Sequence, residues 1–204
     1  LSYLLWGTMP DAGLAAAADA DRLRTTGGIL REAERLLDDP RAANLRAAFH
    51  SLWLGLSGLD DVRKDARAFP DYSDALRGLQ RRELETFLAR TTAPATAALG
   101  ELLAAPASYL DATLARFYGV SGSQGATFEK VTWSPGERAG LLTQGALLAM
   151  LAGPVDTSPV KRGVFVLEHV LCSEIPPPPP EVEAMPPAPD PKRSTRERLE
   201  ALPS

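Results

Sequence analysis

The side chains best suited to bind a metal or a cofactor in this sequence are its two histidines, His50 and His169. His50 lies between Phe49 and Leu52 in a segment whose apolar residues have helical spacing. Its imidazole is therefore either a ligand or a histidine at the edge of a core, hydrogen-bonded to backbone or water. Neither histidine is followed at i+4 by a histidine or a carboxylate, so the sequence has no pair of metal ligands on one helix face.

Three aspartates, Asp60, Asp61 and Asp65, form an acidic cluster. Hard carboxylate oxygens are the ligands that calcium prefers, but the cluster lacks the alternating ligand spacing and the closing glutamate of an EF-hand loop. We therefore expect a solvated acidic loop rather than a calcium site.

The most distinctive stretch is Thr157-Ser158-Pro159-Val160-Lys161-Arg162-Gly163. Ser158 can cap a helix, and Pro159 fits its first turn. Ser158 is no candidate nucleophile, because no Gly-x-Ser-x-Gly elbow surrounds it and no histidine is near it in the sequence. The sequence also has no Gly-x-Gly-x-x-Gly motif and no phosphate-binding loop.

Arg162 places a cation near the start of that predicted helix, where the helix dipole disfavours positive charge. One hypothesis is that its guanidinium pairs with the carboxylate of Glu85 or Glu83 and so holds this segment against the longest helix. The alternative is that Arg162 binds an anionic substrate.

The composition argues against several classes of site. The net charge is -4, and basic residues are scattered among acidic ones, which gives no basic stripe for nucleic acid. The longest apolar run, 140–152, contains Thr143 and Gln144 and is shorter than the roughly 20 residues needed to cross a bilayer. Cys172 is the single cysteine, so neither an intrachain disulfide nor a four-cysteine metal site can form.

Alanine and leucine dominate the sequence, which favours helix over sheet. Apolar spacing and capping residues predict an all-α fold, a helical bundle with at most one or two short strands. The expected helices are 11–20, capped by Asp11; 28–38; one that begins at Pro40 and continues to Leu56; 72–90; 96–104; 108–118, closed by Gly119; 140–151; 158–172; and a short one after Ser194.

Helical spacing also predicts which faces of these helices are buried. The expected inward-facing residues of the second and third helices are Ile29, Leu30, Ala33, Leu36, Leu37, Leu45, Ala48, Phe49, Leu52, Trp53 and Leu56.

The segment 127–133 alternates and is the best candidate for a strand, although an isolated one. Five prolines, from Pro176 to Pro180, predict polyproline II geometry, and the segment 186–191 continues it as a stiff tail. We therefore expect two helical domains, 1–120 and 121–175, followed by an extended proline-rich tail, 176–204.

Several segments resemble a domain of unknown function, numbered 1592, that is found in planctomycete- and myxobacterial-type cytochrome c-like proteins. These segments are 4–11 (LLWGTMPD), 39–41 (DPR), 49–54 (FHSLWL), 64–65 (KD) and 114–119 (LARFYG). A second set, 138–144 (RAGLLTQ) and 157–163 (TSPVKRG), resembles its companion domain, numbered 1588, and the proline run after Cys172 fits that companion. The combination covers nearly the whole chain and is more specific than any one segment.

The resemblance implies an exported, periplasmic or cell-envelope multidomain protein with haem attached through a Cys-x-x-Cys-His motif. In companion domains the motif follows shortly after a segment like 195–199, whereas this sequence reaches Ser204 without it, and Leu202 stands where relatives often have a histidine. We therefore expect a fragment without its own cofactor, next to a haem c domain of the same polypeptide. His50 is then a candidate axial or nearby ligand of that haem, whereas Arg138, Gly140 and 157–163 are expected to be structural.

The function expected from the sequence is a non-catalytic helical scaffold that packs beside the haem c domain. One alternative is that the chain forms part of a haem-dependent oxidoreductase site. A pocket lined by His50, Arg162 and acidic side chains would favour that alternative, and dispersed positions would favour the scaffold. A second alternative is a protein-docking module that binds a partner through Pro176 to Pro180.

Overall fold

The structure is a computed structural model that describes residues 1–93, 98–121, 123–176 and 193–200. The expected helix start at 96, the prolines from Pro177 to Pro180, the tail 186–191 and Leu202 lie outside these residues. The described residues are 58% helical and contain a small two-stranded sheet, which confirms the prediction of a mostly helical fold. None of the described helices is both long and apolar enough to cross a membrane.

The N-terminal part of the chain folds into helices joined by short connections. They are α1 (Ser2–Trp6), α2 (Ala12–Asp19), α3 (Thr26–Asp38), α4 (Ala42–Trp53) and α5 (Asp74–Thr91), with 3₁₀ turns at Arg22–Arg24 and Leu56–Asp61. As predicted, Asp11 caps α2, because its carboxylate accepts a hydrogen bond from the Leu14 amide at 2.8 Å.

The remaining elements alternate short helices with the two strands. They are α6 (Leu99–Ala104), β1 (Ala107–Leu110), α7 (Ala112–Tyr118), β2 (Glu129–Thr132), a 3₁₀ turn (Leu141–Thr143), α8 (Gly145–Met150), α9 (Pro159–Phe165), a π-helical turn (Val166–Val170) and α10 (Thr195–Glu200). Gly119 closes α7 as predicted, in a left-handed conformation with a φ of 69°. Ser194 and Glu197 form a capping box at the start of α10, the short helix predicted after Ser194.

The sheet contains the predicted strand and shows that one predicted helix begins later than expected. The strand expected in 127–133 is β2, and it pairs antiparallel with β1, so that Ala107 lies opposite Thr132 and Leu110 opposite Glu129. The helix expected at 108–118 begins only at Ala112. Asp111 accepts a hydrogen bond from the Leu114 amide at 2.8 Å, and this cap fixes the start of α7 after the strand.

The helix expected at 140–151 is also divided. Gln144 has extended backbone angles, which separate the 3₁₀ turn from α8. Gly140 has a φ of 60°, and an added Cβ there would overlap the carbonyl of Leu103. The chain therefore passes so close to the end of α6 that a glycine is required and a continuous helix is excluded.

Three clusters of buried apolar side chains form the core. The largest contains Leu54, Leu56, Leu59, Val62, Leu84, Phe87, Leu88, Leu102, Ala105, Leu141, Ala146, Leu147 and Phe165. A second lies under the sheet and contains Leu76, Leu110, Leu114, Ala115, Val131 and Trp133. The third joins the first four helices through Trp6, Leu14, Leu36 and Ala42. The largest cluster and the sheet both include residues from each side of position 120, so the two segments pack against each other.

The buried faces of α3 and α4 are narrower than predicted. On α3, Leu36 is fully buried, whereas Ile29 and Leu30 are exposed. On α4, Phe49 is exposed and Leu52 is 83% exposed. These small helices contact the third cluster through one narrow stripe, which leaves their flanking apolar positions in solvent.

Candidate functional site

A buried carboxylate lies where the long helix α5 meets the sheet. Glu83 is 0% exposed. Its Oε1 accepts a hydrogen bond from Ser108 Oγ on β1 at 2.8 Å, and its Oε2 accepts one from the Tyr118 hydroxyl at the end of α7 at 2.7 Å. Ser108 Oγ also lies 3.0 Å from the side-chain amide of Gln144. Both carboxylate oxygens are therefore satisfied by protein groups.

Arg138 covers this group from the side of the second segment. Its guanidinium lies 4.0 Å from the ring centre of Tyr118 and 4.6 Å from that of Trp133, which is a cation–π arrangement. We call Glu83, Ser108, Tyr118, Arg138 and Gln144 the Glu83 cluster. It joins α5, β1 and α7 to the segment 138–144, as expected if Arg138 has a structural role.

Gly145, the first residue of α8, lies against the same cluster. A Cβ added at this position would overlap the hydroxyl of Tyr118 and would approach Gln80 Nε2 to 2.9 Å. A glycine is therefore needed to let α8 approach the tyrosine that binds Glu83.

Burial dominates the electrostatics of the cluster. Loss of solvent raises the pKa of Glu83, although the hydrogen bonds from Tyr118 and Ser108 and the charge of Arg138 act in the opposite direction. Burial and the neighbouring Glu83 carboxylate also raise the pKa of Tyr118 well above its usual value. Glu83 is closed to solvent, and its hydrogen bonds hold α5 against β1 and α7.

Two further contacts connect the N-terminal segment to the second one. Lys64 Nζ donates hydrogen bonds to the carbonyls of Ala149 and Gly153, each at 2.9 Å. Trp53 Nε1 donates to the His169 carbonyl at 2.6 Å, and His169 Nδ1 lies 2.6 Å from the Trp53 carbonyl oxygen. Lys64 and Trp53 therefore use their polar atoms for internal contacts.

A second candidate site is a cleft between α4 and α5. The cleft has a volume of about 670 Å³. Its lining consists of Ala43, Asn44, Arg46, Ala47, His50, Ser51, Leu56, Glu85, Thr86, Leu88, Ala89, Arg90 and Ala93. We call it the His50 cleft. It brings together two of the residues selected from the sequence, His50 and Glu85.

His50 is 8% exposed and lies edge-on to the Phe49 ring, with 5.7 Å between ring centres. Across the part of the chain that the structure describes, its imidazole forms no hydrogen bond to another protein group. Burial lowers the pKa of His50, and the nearby Arg46 guanidinium lowers it further. The imidazole is therefore biased toward its neutral form, which can donate or accept a hydrogen bond.

The residues of this chain do not fit a complete haem c site. Covalent attachment uses a Cys-x-x-Cys-His motif, and the 204 residues contain one cysteine. Cys172 is exposed and is followed by Ser173 and Glu174. The 204 residues therefore do not supply the covalent attachment of a haem c.

Arg162 lies at a different place from His50 and Glu85. It lines an apolar groove of about 610 Å³. The other lining residues are Leu142, Leu147, Leu151, Pro159, Gly163, Phe165, Val166 and Leu167. The predicted pairing of Arg162 with Glu83 or Glu85 is wrong, because Glu83 is held by Ser108 and Tyr118, and Glu85 lines the His50 cleft. Among the described residues, Arg162 has no ion-pair partner.

The segment around Arg162 forms the helix start that its sequence predicts. Ser158 Oγ accepts a hydrogen bond from the Lys161 amide at 3.3 Å, and Pro159 occupies the first turn of α9. Just before it, Asp156 accepts hydrogen bonds from Thr195 and Arg198 of α10. Thr157 Oγ1 also lies 3.0 Å from Thr195 Oγ1, so this segment supports the last described helix.

Two aspartates of the acidic cluster, Asp60 and Asp65, contact other groups of the protein. Asp60 pairs with Arg81 at 2.7 Å, and Asp65 Oδ1 accepts hydrogen bonds from the amides of Arg67 and Ala68. The ranges that the structure describes contain no group of three or more metal-ligating side chains.

The roles of Glu83, Ser108, Tyr118 and Gln144 were not predicted from the sequence. One signal was present: Glu83 lies on the same helical face as Leu76, Gln80 and Phe87, all of which are buried in α5. A carboxylate at an inward position needs hydrogen-bond donors, which predicts that partners exist but not which residues supply them.

These observations define a mostly helical protein whose two segments are joined by a buried polar cluster. Residues 1–120 match a family described as protein of unknown function (DUF1592), with the short name PSD4, and residues 138–204 match a protein of unknown function (DUF1588), PSCyt3. The chain therefore belongs to the DUF1592 family, and the resemblance inferred from its motifs is confirmed. The family names suggest cytochrome c-like multidomain proteins. No curated protein and no solved structure matches the chain.

Proposed function

We propose that this chain is a non-catalytic helical scaffold of an exported, periplasmic or cell-envelope cytochrome c-like multidomain protein. In this proposal the chain packs beside a haem c domain of the same polypeptide and positions it. The haem is attached to that domain, and this chain contributes a folded surface. The family names are the reason for choosing a cytochrome c-like setting.

The observation that carries the proposal is that polar side chains from the family-like segments bind other parts of the chain. Lys64 and Trp53 bind backbone carbonyls of the second segment. Tyr118 and Arg138 complete the Glu83 cluster. Side chains that could take part in catalysis or binding instead join the two family segments, as expected for a structural role.

The distribution of the candidate site residues also supports a scaffold. His50 lies in one cleft and Arg162 in another. A catalytic constellation needs its groups within hydrogen-bond reach of one reacting molecule. The oxidoreductase alternative is supported by one observation, the imidazole of His50 without a hydrogen-bond partner among the described residues.

The test uses the longer polypeptide with its haem domain, produced with cytochrome c maturation. The scaffold proposal expects the same Soret band for the parent protein and for its His50→Ala variant. His169→Ala is the matched control, since His169 already binds the Trp53 carbonyl. A band that shifts only in His50→Ala would favour the oxidoreductase alternative.

Packing beside the haem domain needs a separate measurement. Hydrogen exchange of the haem domain is compared in the presence and absence of residues 1–200. The scaffold proposal expects slower exchange on one face of the haem domain when this chain is present. Equal exchange in the two samples would contradict it.

A further inference from the structure

Two arginines of the His50 cleft are without an ion pair among the described residues. Arg46 and Arg90 both line it, and within the described part of the chain neither guanidinium forms an ion pair. Arg46 makes one long hydrogen bond, 3.5 Å, to the Leu37 carbonyl. By contrast, Arg77 and Arg81 on α5 each pair with an aspartate. Arg46 and Arg90 therefore remain available to an anion.

His50 adds a third polar group with unused hydrogen-bonding capacity. It is 8% exposed, it lines the same cleft, and its ring forms no hydrogen bond among the residues described. Its ring nitrogens are therefore free to bind a molecule in the cleft. Arg46 and His50 are four residues apart on α4, so their side chains lie on one face of that helix.

The rest of the lining is mainly apolar. Ala43 and Ala47 on α4 and Leu88 and Ala89 on α5 line the cleft, and Leu56 also contributes. A ligand cavity with apolar walls and a few convergent polar groups is the usual design of small-molecule sites, and about 670 Å³ is within their common range of volumes.

One acidic side chain limits the charge of the ligand. Glu85 lines the cleft and is exposed. Two arginines and one glutamate leave a single net positive charge. This balance favours a ligand with one negative charge over a phosphate dianion.

We propose that the His50 cleft binds an organic monoacid, a molecule with one carboxylate and an apolar body. Arg46 and Arg90 bind the carboxylate, since guanidinium groups are the strongest side-chain partners of carboxylates. His50 donates a hydrogen bond to it, and the alanine and leucine side chains pack against the apolar body. This site goes beyond the scaffold role and does not depend on it.

The test is a titration of the 204-residue chain with octanoate, followed by two-dimensional amide NMR. 1-Octanol is the probe with the same apolar body and no charge, and inorganic phosphate is an anion without an apolar body. We expect octanoate to shift the amide signals of α4 and α5 and to bind at least about tenfold more tightly than either control. Equal affinity for octanoate and 1-octanol would overturn the role of the arginines, and equal affinity for phosphate would overturn the role of the apolar lining.

Variants of the cleft residues test the assignment of roles. Arg46→Gln and Arg90→Gln should each weaken octanoate binding about tenfold, and His50→Gln by a smaller factor. Arg31→Gln is the matched control, because Arg31 is an exposed arginine on α3 that does not line the cleft. The amide spectrum of each unliganded variant establishes that it is folded. Unchanged affinity in the folded Arg46→Gln, Arg90→Gln double variant, or no octanoate binding by the parent chain, would overturn the proposal.

Discussion

The Glu83 cluster and the His50 cleft use neighbouring positions of one helix in opposite ways. Glu83 is buried on α5 and both its oxygens accept hydrogen bonds. Glu85, two residues later, is exposed and lines the cleft. Residues two apart point to nearly opposite sides of an α-helix. One side of α5 therefore specifies how the two segments join, whereas the other carries Glu85 in the lining of the cleft.

This difference separates polar residues with a structural role from polar residues that are available to bind a ligand. A side chain such as Tyr118 is polar but fully engaged, because its hydroxyl already binds Glu83. A side chain such as Arg90 is equally polar but has no ion-pair partner in the described residues. Partner satisfaction, rather than residue type, distinguishes the two classes.

The largest expected effect comes from removing the carboxylate of the buried cluster. Glu83→Ala leaves the Ser108 and Tyr118 hydroxyls without their acceptor and opens a cavity. We expect a loss of about 2–4 kcal/mol in the free energy of unfolding, measured by urea denaturation. Glu85→Ala is the matched control on the same helix and should change stability by less than about 0.5 kcal/mol. Similar losses in the two variants would contradict the contrast between the faces of α5.

A smaller effect is expected from crowding the cluster without removing a polar group. Gly145→Ala places a methyl group against the Tyr118 hydroxyl, so we expect a loss of about 1–3 kcal/mol in the free energy of unfolding. Gly78→Ala is the control, because no atom lies within 4 Å of the added Cβ on the exposed side of α5. That change should stabilise the chain by about 0.5–1 kcal/mol, since alanine is the better helix former. Equal stability of the two variants would show that α8 does not pack closely on Tyr118.

Local features of the fold could be predicted from the sequence, and long-range ones could not. Asp11, Ser158 and Gly119 act within one turn of their own helices, and the helix ends that they mark were predicted correctly. By contrast, β1 depends on its pairing with β2. The sequence of Ala107–Leu110 has no strand pattern of its own, and part of it was predicted to be helical.

The candidate sites show the same limit. The partners of Glu83 are 25 and 35 residues away along the chain, at Ser108 and Tyr118. No periodicity within α5 can identify them. Periodicity could not place Arg162 either. Its acidic partner was predicted from charge alone, whereas the Arg162 side chain lines an apolar groove. The shared cleft of His50 and Glu85 depends on how α4 packs on α5.

Changes in pH should act on the two regions in opposite directions. Burial raises the pKa of folded Glu83 above its unfolded value of about 4.3, so stability falls as pH rises through the window above that value. Burial lowers the pKa of folded His50 below its unfolded value of about 6.5, so stability falls as pH decreases through the window below that value. Urea denaturation across pH 4–8 should show the first slope disappear in Glu83→Gln and the second in His50→Gln. Slopes that persist in these variants would assign the pH dependence to other groups.

The smallest expected difference compares an arginine of each region. Arg138 stacks on Tyr118 and Trp133, so Arg138→Gln should cost about 0.5–1 kcal/mol in the free energy of unfolding through lost cation–π contact. Arg90→Gln removes an exposed cation without an ion-pair partner in the described residues, and the free energy of unfolding should stay within about 0.5 kcal/mol of the parent value. Urea denaturation of both variants measures this difference, and octanoate titration should reverse the order, with Arg90→Gln the more impaired. If the same substitution had the larger effect on both stability and octanoate binding, one residue would serve both purposes. The proposed division between the two sides of α5 would then be wrong.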